Sequence, residues 1–148
     1  MNAEDLFERG DELSTKGAQA LQGGNVEEGH DWFRQAIEAY EAALEAAPAD
    51  DDLLALNLRL CIGARRAGLG ETETALSIYE QVRSTLESRP DLMDDEEGAD
   101  LHHTARLNRA DALIGLDRID EAREEIEAVR ERVPDHPYAE YLFSRLSE

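Results

Sequence analysis

The chain has 148 residues and a formal charge of −20, from 35 acidic against 15 basic side chains, with 41% hydrophobic and only 5% aromatic residues. That length gives room for one domain with a sizeable core, and so acidic a balance excludes general affinity for nucleic acid or anionic membrane, since both reward clustered positive charge. A core made mostly of Ala and Leu favours closely packed helices over sheets.

The remaining bulk features narrow the class further. Lys16 is the only lysine, and the bias towards arginine and acid is compatible with a salt-adapted or high-GC organism, or simply with an acidic helical surface. Cys61 is the single cysteine, so no intrachain disulfide forms. The N-terminus, Met-Asn-Ala-Glu-Asp-Leu-Phe-Glu-Arg, is charged from its start and has no signal-peptide core. No run approaches the roughly 18 apolar residues that span a bilayer. A soluble cytoplasmic protein is expected.

Residues 3–22 read as a helix stopped by Gly23-Gly24, and a second helix runs from Val26 to about Ala47, with Phe33, Ala36, Ile37, Tyr40, Ala43 and Leu44 on one stripe before Pro48. One of Asp50, Asp51 and Asp52 caps the next helix, which carries Leu53, Leu56, Leu60 and Ala64 and stops near Gly68–Gly70. Glu71 or Thr72 opens a fourth, striped by Ala75, Leu76, Tyr79, Val82 and Leu86. Residues 89–99 are polar and without apolar period, a loop leading into a frayed helix start. Helices over about 97–116 and 118–132 follow, joined at Asp117. After Pro134, the text Asp135-His136-Pro137-Tyr138 opens a last helix with Tyr138, Tyr141, Leu142 and Leu146 on its apolar side and Glu140, Arg145 and Glu148 on its polar side.

One template recurs three times: Gly17…Gly24…Gly29…Phe33, Gly63…Gly70…Ala75…Tyr79 and Ala110…Asp117…Ala122…Ile126. Each of the four positions is separated by 46 and then 47 residues, and a fixed period of this size marks a stacked repeat. Small residues mark where paired helices nearly touch, and the large one fills the gap beside them.

On these residues the chain resembles the tetratricopeptide repeat family, whose helix pairs carry a small residue midway along the first helix, a Gly turn, a small residue early in the second, a large one four further on, and Pro near the end. The resemblance implies an all-α, right-handed α-solenoid of three antiparallel helix pairs, over about 3–47, 51–88 and 97–133, plus a capping helix over 137–147, together a single domain. The period exceeds the family's usual 34 residues, so the long-helix variants of kinesin light chains and bacterial peptide-sensing regulators are the nearer likeness. HEAT-type repeats also fit the period, but the Gly turns after Gln22 and Leu69 favour the tetratricopeptide pattern.

In that family the first helix of each pair lines a concave face. The resemblance thereby puts Asp11, Ser14, Ala18 and Leu21, then Asn57, Leu60, Ala64 and Ala67, then Thr104, Leu107, Asp111 and Ile114 on the groove. The groove lacks the repeated Lys and Asn with which some members clamp a terminal carboxylate. Beside it runs a stripe of positive charge: Arg59 and Arg66, seven apart, and His102, Arg106 and Arg109 at i, i+4 and i+7. Arg59 and Arg106 hold equivalent repeat positions. Two readings stand side by side: forked guanidiniums that bind an acidic peptide segment, or arginines paired with Asp and Glu of neighbouring helices.

No catalytic, cofactor or metal constellation is present in the sequence. Cys61 sits in an apolar helical context without a nearby His, His102 and His103 point about 100° apart on a helix, and the acidic run at 91–97 lacks the ligand spacing of a calcium loop. A non-enzymatic adaptor that binds a peptide or helix of another protein is the primary expectation. The alternatives are a self-assembling homo-oligomer and a chaperone-like holder of an aggregation-prone client.

Overall fold

The computed structural model describes residues 1–147; Glu148, placed above on the polar side of the last helix, lies outside them. Helix makes up 82% of the structure, and no strand occurs among the described residues. The helices are α1 (Ala3–Gln22), α2 (Val26–Ala46), α3 (Asp52–Gly68), α4 (Thr72–Glu87), α5 (Pro90–Met93), α6 (Glu96–Gly115), α7 (Ile119–Arg132) and α8 (Pro137–Arg145). Two compact units divide the chain, Met1–Thr74 and Ala75–Glu148. The all-α class built from helix pairs, expected from the repeat, is the one found.

The pairs are set by three copies of one turn. Gly24, Gly70 and Asp117 all have left-handed backbone, with φ of +83°, +86° and +60°. At each, the turn residue's N–H bonds the carbonyl three residues back, at 3.0 Å to Leu21, Ala67 and Ile114. The following N–H reaches five back, to Ala20, Arg66 and Leu113, at 2.8, 3.0 and 2.8 Å. This double bond satisfies carbonyls that a helix end leaves orphaned. Asp117 adopts the same geometry where the other two copies use glycine.

In the first unit, α1 and α2 pack antiparallel through positions with no side chain. A Cβ on Gly10 would lie 2.4 Å from the Tyr40 ring, one on Gly17 2.5 Å from the Phe33 ring, and one on Gly29 2.8 Å from Leu21. The contacts advance along α1 as they retreat along α2. The nine template positions other than the turn residues behave alike, since Gly17, Gly63, Ala110, Gly29, Ala75, Ala122, Phe33, Tyr79 and Ile126 are all buried. Trp32 is half-buried under the Lys16 ammonium, 4.9 Å from its ring centroid.

In the second unit, α6 is packed on most sides: it meets α5, α7 and α8, and its buried residues, from Gly98 to Leu113, spread over most of its circumference and leave the Asp100–Thr104–Asp111 side open. Two expectations need correcting here. The segment over 89–99 is not simply a loop, because Pro90 starts a one-turn helix, Asp91 is held by Arg89 at 2.9 Å, and Leu92 is buried. Tyr141 is 58% exposed rather than on the packed side of α8, because a nine-residue helix buries only the narrow strip of Ala139 and Leu142.

The turn and contact geometry sets two expected outcomes. Neither Gly24 nor Gly70 has an atom within 4 Å of an added Cβ, so Gly70→Ala costs only backbone strain, about 1 kcal/mol, and Asp117→Gly gains roughly 0.5–1 kcal/mol. Gly17→Ala destabilises by about 1–3 kcal/mol through overpacking, despite the better helix propensity of Ala. Urea unfolding of the three variants beside the parent measures all of these.

Candidate functional site

The groove and stripe residues singled out on α3 and α6 occupy two sides of their helices. Positions two apart on a helix point about 200° apart, so Asn57, Leu60 and Ala64 lie on one side of α3 and Arg59 and Arg66 on the other. In the first unit Leu60 is only 3% exposed and belongs to the core, which removes it as a groove contact. Asn57 and Ala64 are half-buried, Arg59 is exposed, and Arg66 donates to Glu71 at 3.1 Å. Nearby, the Tyr40 hydroxyl donates to Asp11 at 2.7 Å and meets Ser14 at 3.0 Å, and burial raises its pKa well above the ordinary tyrosine value. The Cys61 thiol is pushed up to about 11 by burial and by the Asp11 charge, so it stays protonated and a poor nucleophile.

The second unit repeats the split on α6. Leu107, Asp111 and Ile114 point to one side, and His102, Arg106 and Arg109 to the other. Leu107 is fully buried and is likewise core rather than groove. The basic side is enclosed by carboxylates of the neighbouring helices. Arg109 Nε donates to Glu80 of α4 at 3.2 Å, His102 Nε2 lies 3.1 Å from Glu87 of α4, and Arg83 of α4 reaches Glu125 of α7 at 3.3 Å. Arg106 and Arg109 also approach Glu125, at 3.8 and 3.9 Å. Three guanidiniums thus surround one carboxylate whose side chain is 8% exposed. Arg83 Nε, Arg106 Nε and Glu125 Oε2 are buried without a hydrogen bond, so part of this cluster is held by charge alone.

Sequence reasoning missed Glu125, although a signal was present. Ala122, Glu125, Ile126 and Val129 follow the i, i+3, i+4, i+7 spacing of a buried stripe, and an acid at such a position needs an inward-facing cation. Glu87 is held below the usual carboxylate range: burial pushes it up, but the His102 hydrogen bond and the charges of Arg83, His102 and Arg106 outweigh that. A depressed carboxylate gives stability at neutral pH that is lost as pH falls below about 4.5 through its folded value.

The other side of α6 is met by α8. The Tyr138 hydroxyl donates to Asn108 at 3.0 Å, and Arg145 donates to Asp111. Burial, with the Asp111 charge beside it, raises Tyr138 well above its ordinary value. Asp100 is exposed, and Thr104 and Ile114 are half-buried. Among the described residues no group of three or more His, Cys, Asp or Glu side chains is placed to hold a metal ion, and no helix is long and apolar enough to cross a membrane.

The buried cluster is a stability element with a measurable size. Glu125→Gln leaves three guanidiniums facing an uncharged amide and lowers stability by about 2–4 kcal/mol, whereas the exposed Arg59→Glu changes it by about 0.5 kcal/mol or less. Thermal unfolding at neutral pH separates the two.

Comparison with curated proteins gives no match. A family model described as tetratricopeptide repeat matches residues 66–146, more than half of the chain. That stretch contains two of the three left-handed turns, the Ala75–Tyr79 and Ala122–Ile126 template positions and α8, and its fold is one of protein interaction rather than catalysis. With turn, small contact residues and matched span in agreement, the chain belongs to the tetratricopeptide repeat family.

Proposed function

We propose that the protein is a non-enzymatic protein–protein interaction module whose partner segment lies along the Asp111 side of α6, over Asp100, Thr104, Asp111 and Ile114, and carries basic rather than acidic groups. One observation carries this reading: Arg83, Arg106 and Arg109 are each engaged by Glu80, Glu87 or Glu125. An acidic segment would have to displace those carboxylates from a partly desolvated site, at a cost that a surface contact does not return. On the opposite side Asp100 is exposed and Asp111 is half-buried against Arg145, in a chain of net charge −20. Such a field attracts cationic segments and raises their association rate.

Family membership supports the interaction role, since tetratricopeptide repeats generally bind other proteins. The repeat spacing of 46–47 residues and helices of 20 and 21 residues in α1, α2 and α6 support a long-helix variant of the kinesin-light-chain or regulator kind.

The test begins with capture of binding proteins at low and high salt and their identification. Their affinity for the parent chain weakens as salt rises, because exposed charges are screened. Asp100→Arg combined with Thr104→Arg lowers affinity about tenfold or more, mostly through association rate, while Arg59→Glu leaves it unchanged. Unaltered affinity in the double variant removes this side of α6 from the account.

A further inference from the structure

Three of the chain's four histidines come together in the second unit. The His102 and His103 rings are 6.3 Å apart by centroid, and the His103 and His136 rings are 6.5 Å apart and edge-on. His136 lies more than thirty residues further along the chain, at the N-cap of α8. We propose that these imidazoles form a proton-operated latch, in which protonation in mildly acidic solution releases α8 from the α6/α7 pair.

The geometry gives neutral and charged rings opposite consequences. No metal-holding group occurs among the described residues, and the rings are close enough for two imidazolium charges to repel in a partly buried setting. His136 caps α8 without a side-chain hydrogen bond, and its Nδ1 is buried with no partner among the described residues. A proton there adds positive charge at the positive end of the helix dipole, the unfavourable end for a cation.

The charged groups around the cluster leave this balance in place. On α6 they are Asp100, His102 and Arg106, and of these Asp100 favours the charged form of His103 while the other two oppose it. From α4, Glu87 is engaged by His102. From α5, Asp91 is held by Arg89. From α7, Glu125 faces Arg106, and Arg130 faces Glu140 of α8. Also on α8, Arg145 is paired with Asp111 of α6, and Tyr138 donates to Asn108. Burial, followed by the charges of His102 and His136, holds His103 below the ordinary histidine value. The docked state therefore binds this proton less well than the released state. Docking is at full strength above about pH 6.5 and weakens as pH falls below it.

Release has a structural result. Ala139 and Leu142 of α8 are fully buried, so undocking uncovers apolar surface on α6 and α7 at the end of a helix pair. In a repeat array this is the kind of surface that a terminal cap shields.

Hydrogen–deuterium exchange on the full chain tests the latch, with rates corrected for intrinsic chemistry and compared between about pH 7.5 and 5.5, the range in which histidine changes charge. Amides of residues 140–145 lose protection on the order of tenfold more than those of α1 and α2. His103→Gln with His136→Asn, which supplies a preferred N-cap residue, abolishes that difference. Equal protection of α8 at both pH values, or a pH-dependent loss that persists in the double variant, overturns the proposal. Proton NMR titration of the unmutated chain decides independently of whether the variant folds: His103 must titrate with the same midpoint as α8 exchange, and titration without any change in α8 also overturns it.

Discussion

The close approach of paired helices is the constraint on which the rest of this structure depends. A three-residue connection with one left-handed residue sends the chain back along itself at once, so the facing backbones must fit from the first turn onward. Gly17 and Gly29 allow this in the first pair, where the Gly17 position faces both Phe33 and the Gly29 carbonyl. The third pair reaches the same end with Ala110, Ala122 and Ile126, all fully buried. Bulk is exchanged between positions: aromatic rings lie over bare backbone in the first pair, and an aliphatic side chain is buried together with two alanines in the third. Burial is conserved at these positions, although no residue type is.

A chain of charge −20 then has to place its few cations well. Several ion pairs here are exposed, like Arg34–Asp31 and Arg118–Glu121, and such pairs contribute little to stability. The cluster around Glu125 differs because its carboxylate is buried and its partners come from two other helices, α4 and α6. Arginine suits that task, since a planar fork on a long stem can reach across a helix contact and offer several donors. The same pairs order α4, α6 and α7 against one another and use up the charge that an acidic ligand would need. A structural role and a binding role compete for these guanidiniums, and the geometry favours the structural one.

The repeat was readable in the sequence because its determinants are local. Left-handed backbone, a small residue and a large residue four positions on each leave a mark within one helix pair, and even Asp117 holds its place by spacing. The first helix, Ala3–Gln22, was readable to the residue for the same reason, with Asn2 capping it and Gly23-Gly24 ending it. What could not be read depends on which neighbour lies opposite. Leu60 and Leu107 follow a groove pattern, yet both are core, because the same spacing also describes a helix packed on several sides. Arg83 and Glu125 meet across 42 residues, and His136 reaches His103 from another helix, distances over which no local pattern operates. The short α5 went unread because one buried Leu92 gives no period.

The last helix shows how these levels combine. Nine residues are too few to be stable as an isolated helix, and His136 supplies no side-chain bond at its start. Its attachment rests on two buried apolar side chains, on Tyr138 and Arg145 bonded to α6, and on Arg130, which binds Glu140 and stacks 4.0 Å from the Phe143 ring centroid. By contrast, α6 is held by buried residues over most of its circumference and by the Glu125 cluster. Local opening follows the weakest set of contacts, and α8 is held by far fewer buried residues than α6. At α8 three imidazoles are gathered, and a modest change in charge has its largest effect on the element with the least stability to lose.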